Sequence, residues 1–221
     1  ATNCSVTEIF REDRKNYFYP DLPKAYQITQ KDFPICQNGW IAIPSEQGER
    51  RIGITEIHIE EDAGKLLHTK EGETLCDYNR CGVPLIEIVS APELYSAEDA
   101  KAYVQNLRSI LLFAGVSDCK MQEGSLRCDV NLSVRKKGEQ ALGVRTEIKN
   151  LNSFQFMAKA IQSEFQRQVA VLESGGILVQ ETRRYDQSTG KTDSMRSKED
   201  AEDYRYFPEP DLPPVILTEK D

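Results

Sequence analysis

Strict alternation of apolar and polar side chains between Ser125 and Arg135 constrains the fold more than any other feature of the sequence. The apolar members of this segment are Leu126, Cys128, Val130, Leu132 and Val134. A period of two is typical of a β-strand with one packed face and one open face. The segment from Val144 to Ile148 alternates in the same way. We therefore predict two strands, joined as a hairpin through residues 136–143.

Two further segments are predicted to be strands. In residues 51–61 the isoleucines change parity near Thr55, which indicates a β-bulge. Beyond the bulge, one face carries three polar side chains: Glu56, His58 and Glu60. Residues 84–90 are rich in apolar side chains and predict a more buried strand. Glu87 lies within that strand, and an acid among apolar neighbours requires a partner.

Two amphipathic helices complete the predicted fold. The first begins with a capping box from Ser96 to Asp99 and ends at Gly115. The second begins at Asn152 or Ser153. The apolar stripe of the second helix comprises Phe156, Met157, Ala160, Ile161, Phe165, Val169 and Leu172. Since helices and strands each have one apolar face, we expect an α+β fold with helices packed on one face of a largely antiparallel sheet.

The other face of that sheet is expected to be open, polar and the location of the site. It would display Glu56, His58, Glu60, Arg127, Asp129, Asn131, Arg145, Glu147 and Lys149. Carboxylates ligate hard metal ions, and arginine binds phosphates bidentately. A solvated polar face is the alternative interpretation. The composition of the face favours a metal-dependent ATP site that works by positioning and charge stabilisation. Glu61, Asp129 and Glu147 are the candidate magnesium ligands.

Composition and motifs argue against several other classes of function. The net charge is −8, whereas a self-contained nucleic-acid binder is usually basic. No Walker loop and no glycine-rich dinucleotide motif is present. The chain has two histidines, neither placed as the base of a nucleophilic triad. Its six cysteines form no Cys-x-x-Cys pair, which indicates reduced thiols. No apolar run approaches the roughly 20 residues that span a bilayer, so no membrane association is expected.

Two aromatic, proline-rich segments nearly repeat each other. Residues 17–23 read YFYPDLP and residues 206–214 read YFPEPDLPP. Proline fixes the backbone in both, so extended and rigid loops are expected. Two such loops could flank one site. Two ordinary surface turns are an equally good interpretation of the sequence.

These segments together resemble the B-subunit family of the aspartyl/glutamyl-tRNA amidotransferases. The matching stretches are RKNYFYPDLPKAYQITQ from Arg14, IHIEEDAGK from Ile57, DYNRCGVPLIEIVS from Asp77, GSLRCDVNLSVR from Gly124, EIKNLNSF from Glu147, QETRRYD from Gln180 and MRSKEDAEDYRYFPEPDLPP from Met195. They cover nearly the whole chain in order, which makes the resemblance far more specific than a short motif.

The resemblance implies an ATP- and Mg²⁺-dependent reaction on a carboxylate. Members of the family activate Glu on tRNA(Gln) or Asp on tRNA(Asn), and ammonia from the glutamine-hydrolysing amidase A subunit then forms the amide. A small C subunit is a further implied partner, and the compartment would be the bacterial cytoplasm or an organellar matrix. The implied metal ligands are Glu61, Asp129 and Glu147. The implied catalytic residues are Glu61, Glu147 and Lys149. Contacts to ATP or substrate are assigned by placement to His58, Glu60, Arg127, Asn131, Arg145 and Asn150.

The resemblance also predicts how the chain is organised. Residues 1–221 are expected to form a single, cradle-type catalytic domain fragment. The family's first strand, with its Glu-x-His pair, and its C-terminal helical and tRNA-binding tail domains are expected to be absent, so the isolated fragment should be inactive. Two alternatives stay open at this point. One is a non-catalytic module that docks aminoacyl-tRNA, and the other is a scaffold for the partner subunits.

Overall fold

The secondary structure mixes short strands with two long helices. A computed structural model describes residues 1–45, 48–197 and 203–218. The strands are β1 Ser5–Val6, β2 Ile9–Phe10, β3 Asp13–Asn16, β4 Tyr26–Thr29, β5 Cys36–Ser45, β6 Gly48–Glu61, β7 Lys65–His68, β8 Thr74–Asp77, β9 Pro84–Ser90, β10 Cys128–Leu132, β11 Thr146–Leu151, β12 Glu181–Asp186, β13 Lys191–Ser197, β14 Phe207–Pro208 and β15 Val215–Ile216. The helices are α1 Ala97–Phe113 and α2 Phe154–Glu173. The predicted α+β class is confirmed.

The chain divides into two compact units. Unit 1 comprises residues 1–41, 51–93 and 202–221, and unit 2 comprises residues 42–50 and 94–201. The sheets have the strand orders β1-β5-β6-β9, β10-β11-β12-β13, β14-β3-β4, β15-β2 and β7-β8. Among the described residues, no helix is long and apolar enough to cross a bilayer.

Unit 1 is built around the long strand β6. This strand pairs antiparallel with β9, and the register shifts between Ile54 and Glu56, so the predicted bulge is confirmed. The side chains of Ile52 and Ile54, which belong to β6, are fully buried. The bounds of β9 match the prediction, but its expected burial is wrong, because Glu87 has a 55% exposed side chain. The strand lies at the edge of its sheet as the described residues form it, so one flank of β9 lacks a neighbouring strand there.

Unit 2 places α2 against the sheet that contains β10 to β13. The strand β10 is shorter than predicted, but its residues alternate in burial as expected. It pairs antiparallel with β11, and β11 pairs parallel with β12. Ser96 caps α1 by accepting a hydrogen bond from the Asp99 N–H, and Ser153 caps α2 through the Phe156 N–H.

The buried face of α2 differs from the predicted apolar stripe. Met157 and Ala160 are buried as expected, but Phe165 and Leu172 are about half exposed. The polar residues Glu164 and Gln168 are fully buried in their place. Paired charges and hydrogen bonds make this burial possible, so the hydrophobic pattern alone misassigned the face.

The expectation of one shared polar face is wrong. The polar strand residues of β6 lie in the sheet β1-β5-β6-β9, whereas those of β10 and β11 lie in another sheet. Glu61 therefore belongs to unit 1, and Asp129 and Glu147 belong to unit 2. Alternation along a strand fixes which side chains share a face of that strand, but it does not determine which strands share a sheet.

Candidate functional site

Unit 1 contains a cluster of metal-ligand side chains on neighbouring strands, formed by His58, Glu60 and Glu87. One ligand atom from each residue lies within 4.8 Å of the others. His58 and Glu87 are directly opposite in the β6–β9 register, and Glu60 follows on the same face of β6. His58 Nε2 lies 3.5 Å from Glu87 Oε2, while Nδ1 lies 3.1 Å from Glu56 Oε1. One imidazole nitrogen and two carboxylates form a suitable donor set for a divalent cation.

The electrostatics of this cluster favour positive charge. Burial lowers the pKa of His58, but the hydrogen bond and charge of Glu87, with the charges of Glu60 and Glu56, raise it above its usual value. Burial raises the pKa of Glu60, and the charge of Glu87 raises it further, whereas Lys15 and His58 lower it. The carboxylates thus repel each other and attract a cation.

Glu61 faces a different set of partners from His58 and Glu60. Its Oε2 accepts hydrogen bonds from Lys24 Nζ and, over 3.1 Å, from the Ile28 N–H. Gln27 Nε2 donates to the Glu61 carbonyl over 2.7 Å. The structure therefore joins Glu61 to β4, and the assignment of Glu61 as a metal ligand stays a prediction.

Arg80 fixes the turn that follows Glu61. Its Nε and one terminal nitrogen donate to the carbonyls of Ala63 and Gly64, each over 2.8 Å. A Cβ added at Gly64 would lie 2.7 Å from the Asp77 carbonyl oxygen, so the chains approach too closely there for any side chain. Arg80 was not among the residues singled out from the sequence. The signal for it was its place in the matching stretch from Asp77.

Unit 2 contains a second acidic group, held by Lys149. Lys149 Nζ lies 3.2 Å from Asp129 Oδ2 and 3.5 Å from Glu147 Oε1. The hydroxyl of Thr182 donates to the second oxygen of Glu147 over 3.0 Å. Burial lowers the pKa of Lys149, but the two carboxylates raise it above its usual value, so the ammonium stays charged. The structure thus brings together three of the predicted site residues, with Lys149 bridging the acids.

The other predicted site residues of unit 2 are close to this group in the sequence. Asn131 is exposed on β10 and lies opposite Glu147 in the register. Arg145 is exposed immediately before β11, and Arg127 is exposed immediately before β10. Asn150 has a positive φ of 66° within β11, next to Lys149. Asparagine is among the residues that adopt this left-handed conformation most readily.

Glu87 is the site residue whose role sequence reasoning missed. Its need for a partner was recognised, but the partner was not identified. The pairing of β6 with β9 provides His58, and the cluster then follows from the register. The sequence alone could not show that Glu87 contacts His58, because the hairpin β7-β8 lies between them in the chain and the pairing of β6 with β9 was not known.

A comparison with family models matches the whole chain. The model described as "GatB/GatE catalytic domain" covers residues 1–221.

Curated relatives give the same result. A protein of Caldicellulosiruptor saccharolyticus, named as the B subunit of an aspartyl/glutamyl-tRNA(Asn/Gln) amidotransferase, is 62% identical over 218 residues, which are 98% of this chain and 45% of the relative. Proteins of the same name from Caldanaerobacter subterraneus and Lachnoclostridium phytofermentans are 60% and 59% identical, each over 100% of this chain and 46% of the relative. The chain thus spans just under half the length of these relatives.

Proposed function

The chain belongs to the GatB/GatE catalytic domain family, and from this premise we propose that it carries the ATP-dependent step of a tRNA amidotransferase. The substrate would be Glu on tRNA(Gln) or Asp on tRNA(Asn). The γ-phosphoryl group of ATP is transferred to the side-chain carboxylate, which leaves ADP and an acyl phosphate. Ammonia then attacks the acyl carbon, phosphate leaves, and the side-chain amide forms with loss of a proton. The relatives' names support an amidotransferase reaction for the whole enzyme, and the ATP-dependent steps are our proposal.

The observation that carries the proposal is the cluster of His58, Glu60 and Glu87 in unit 1. The two carboxylates fit Mg²⁺, which prefers oxygen ligands, and the imidazole is an additional donor that suits Mn²⁺ as well. A bound cation would neutralise phosphate oxygens of ATP. The mutual repulsion of Glu60 and Glu87 provides the electrostatic reason for a cation here. Since the neighbouring carboxylates raise the pKa of His58, a cation and a proton would compete for its imidazole.

Basic side chains near the cluster have matching roles. Lys15 lowers the pKa of Glu60 by its charge and is therefore placed to neutralise an anionic substrate beside it. Lys24 holds Glu61 in a fixed position. We propose that Lys15 and Lys24 contribute positive charge around the phosphates and the substrate carboxylate. Preorganised charges of this kind supply most of the catalysis of phosphoryl transfer.

Unit 2 contains its own set of charged groups, and we propose that it binds a substrate anion. Lys149 is placed to compensate the negative charge of a substrate, with Asp129 and Glu147 orienting its ammonium group. Asp129 and Glu147 bind a metal ion in this proposal only when Lys149 turns away, because the ammonium and a cation compete for the same oxygens. Arg127, Arg145, Asn131 and Asn150 are proposed contacts to the nucleotide or the aminoacyl end. The amidase A subunit and the small C subunit are the proposed partners.

The test uses the intact amidotransferase complex with Glu60→Gln and Glu87→Gln combined. We expect ATP-dependent phosphorylation of Glu-tRNA to fall at least a hundredfold while glutamine hydrolysis continues, because the carboxylates act on the ATP step alone. Glu71→Gln, in the exposed turn between β7 and β8, is the matched control and should leave both reactions unchanged. Glu147→Gln tests the contribution of unit 2 in the same assay. Phosphorylation near the wild-type rate in the double variant would show that the kinase assignment is wrong.

A further inference from the structure

Four tyrosines of unit 1 form a continuous ladder, which we call the aromatic ladder: Tyr19, Tyr17, Tyr204 and Tyr206. The ring centroids of Tyr19 and Tyr17 are 5.7 Å apart with nearly parallel planes. Tyr17 and Tyr204 are 6.1 Å apart, and Tyr204 and Tyr206 are 5.9 Å apart, both edge to face. Tyr19 is 49% exposed and Tyr206 is 38% exposed. The ladder therefore presents aromatic surface to solvent at both of its ends.

The two proline-rich segments build this ladder together. The strand β14 pairs with β3, which brings residues near Tyr206 alongside Arg14. Asn16 holds the neighbouring backbone: its side-chain nitrogen donates to the carbonyls of Tyr204 and Arg205, over 3.2 Å and 2.8 Å. Arg205 adopts a positive φ of 45°, a strained conformation that these hydrogen bonds maintain. The rings on either side of Arg205 are thus held in place by a specific arrangement and not by an ordinary turn.

Cations lie along the ladder. Lys15 Nζ is 5.0 Å from the centroid of the Tyr204 ring, and Lys31 Nζ is 5.5 Å from that of Tyr206. Lysine ammonium groups are mobile and can turn from a ring to a phosphate oxygen. Alternating ring faces and ammonium groups are the features by which proteins bind single-stranded nucleic acid. This local positive charge stands out in a chain whose net charge is −8.

One end of the ladder is electrostatically coupled to the carboxylate cluster. Burial raises the pKa of Tyr206 to about 12, and the charges of Tyr204, Glu60 and Glu87 contribute to that increase. Tyr206 is therefore within electrostatic range of the two acids proposed to serve the reaction. An aminoacyl group is attached to the 3′-terminal ribose of its tRNA, so a site that modifies it must also accommodate the terminal bases.

We propose that the aromatic ladder binds the single-stranded 3′ end of the aminoacyl-tRNA, with bases stacked on Tyr19 and Tyr206 and phosphates bound by Lys15 and Lys31. This inference rests on the proposed function for the identity of the RNA. The adenine of ATP would stack on one aromatic ring. The ladder extends over four rings, with the ammonium groups of Lys15 and Lys31 beside two of them. The two exposed rings and the two lysines offer contacts to more than one nucleotide of a single strand.

The test is a double-mutant cycle between the protein and the RNA, in the intact complex without ATP or Mg²⁺. The protein variant combines Tyr19→Ser with Tyr206→Ser, and the RNA variant is the same tRNA without its four 3′-terminal nucleotides. Base stacking on aromatic rings contributes about 1–3 kcal/mol per base, so the loss of two stacked bases by either change alone should weaken binding at least about thirtyfold. Applied together, the two changes should weaken binding little more than either one, because they remove the same contacts.

Two further variants complete the design. Tyr19→Phe with Tyr206→Phe keeps the rings and should bind tRNA like the wild type. Tyr95→Ser removes a tyrosine of unit 2 that is 67% exposed and should also have no effect. If the double serine variant does not fold, as judged by its glutamine hydrolysis and thermal melt, Tyr19→Ser is used alone, with an expected loss of at least about fivefold.

Three outcomes would overturn the inference. The first is that the combined loss of tRNA affinity equals the product of the two separate losses, which would mean that the 3′ end does not contact the ladder. The second is unchanged tRNA affinity together with an unchanged KM for ATP. The third is unchanged tRNA affinity together with a raised KM for ATP, measured separately in the phosphorylation assay, which would assign the rings to adenine. Because the binding assay contains no ATP, its result is independent of the phosphorylation assay with Glu60 and Glu87, so the two proposals can fail separately.

Discussion

Acidic side chains lie in two very different environments in units 1 and 2. The carboxylates of Glu60 and Glu87 meet at a half-exposed cluster that also contains the imidazole of His58. In contrast, Glu164 on α2 is fully buried, and both of its oxygens are bound by cations. Arg167 donates to it through two nitrogens, over 3.0 Å and 2.7 Å, and Arg183 Nε lies 3.4 Å away.

The difference separates a binding site from a structural ion pair. Around Glu164 the hydroxyl of Thr192 and the amide of Gln168 complete the hydrogen bonds, over 2.8 Å and 2.9 Å. Burial raises the pKa of Glu164, but these partners together lower it below its usual value. In the cluster of unit 1 the burial and mutual repulsion of the acids raise the pKa of Glu60 instead. Acids whose charge is fully compensated within the chain stabilise the fold, whereas acids that repel each other are available to a cationic ligand.

The largest effect expected from this comparison follows Glu164→Gln. This change keeps the shape of the side chain but removes the anion between Arg167 and Arg183, so we expect a loss of about 3 kcal/mol in the free energy of unfolding. Urea unfolding gives the total, and hydrogen exchange in α2 and β13 localises it. Glu173→Gln, exposed at the end of the same helix, is the control and should have no measurable effect. A small loss for Glu164→Gln would show that the ion pair is dispensable.

The next effect is the pH dependence of the same interaction. The pKa of Glu164 is lower in the folded chain than the unfolded value of about 4.3. Its contribution to stability is therefore present above that unfolded value and is lost as the pH falls through the folded pKa. The difference in stability between the wild type and Glu164→Gln should narrow below about pH 4. Urea unfolding from pH 7 to pH 3 measures this, and a constant difference would contradict the assignment.

A smaller effect is expected from metal binding to the cluster of unit 1. At a free Mn²⁺ or Mg²⁺ concentration about ten times Kd, binding to the folded state adds about 1.4 kcal/mol to stability. The melting temperature of the wild type should rise accordingly, and that of Glu60→Gln with Glu87→Gln should not. Glu71→Gln should respond like the wild type. An equal rise in all three proteins would place the cation elsewhere.

The smallest effect is expected at an exposed acidic group with its own cation. Lys120 Nζ lies 3.0 Å from Glu123 Oε2 and 3.5 Å from Asp118 Oδ2, and all three side chains are at least half exposed. Solvent screens such pairs, so Lys120→Met should leave the urea midpoint unchanged within error. A clear shift would mean that burial is not what distinguishes Glu164 from the other acids.

Much of the local structure followed from the sequence. The bulge after Ile54, the bounds of β9 and the cap at Ser96 were predicted correctly, and Ser153 was one of the two residues predicted to begin α2. Each depends on neighbouring residues only. The buried face of α2 was not predicted, since Glu164 pairs with Arg183 of β12, a strand that follows in the chain.

The candidate site was predicted in part. His58, Glu60, Asp129, Glu147 and Lys149 were singled out, and each lies in an acidic cluster of the structure. Glu87 was noted but received no role. We expected all the polar residues to share one face of a single sheet. The structure places them in two sheets, and the sequence contains no direct indication of which strands share a sheet.

The sequence by itself determined which side chains share a face of each strand, because backbone geometry alternates side chains with a period of two. It also determined the family, through motifs that extend along the whole chain. Only the tertiary structure decided which acids meet. Glu87 reaches His58 and Glu60 through the register of β6 with β9, while Glu164 is neutralised by Arg167 and Arg183. Arg167 is a neighbour on the same helix, but Arg183 and Glu87 come from distant segments, and their pairing depends on packing that no local pattern encodes.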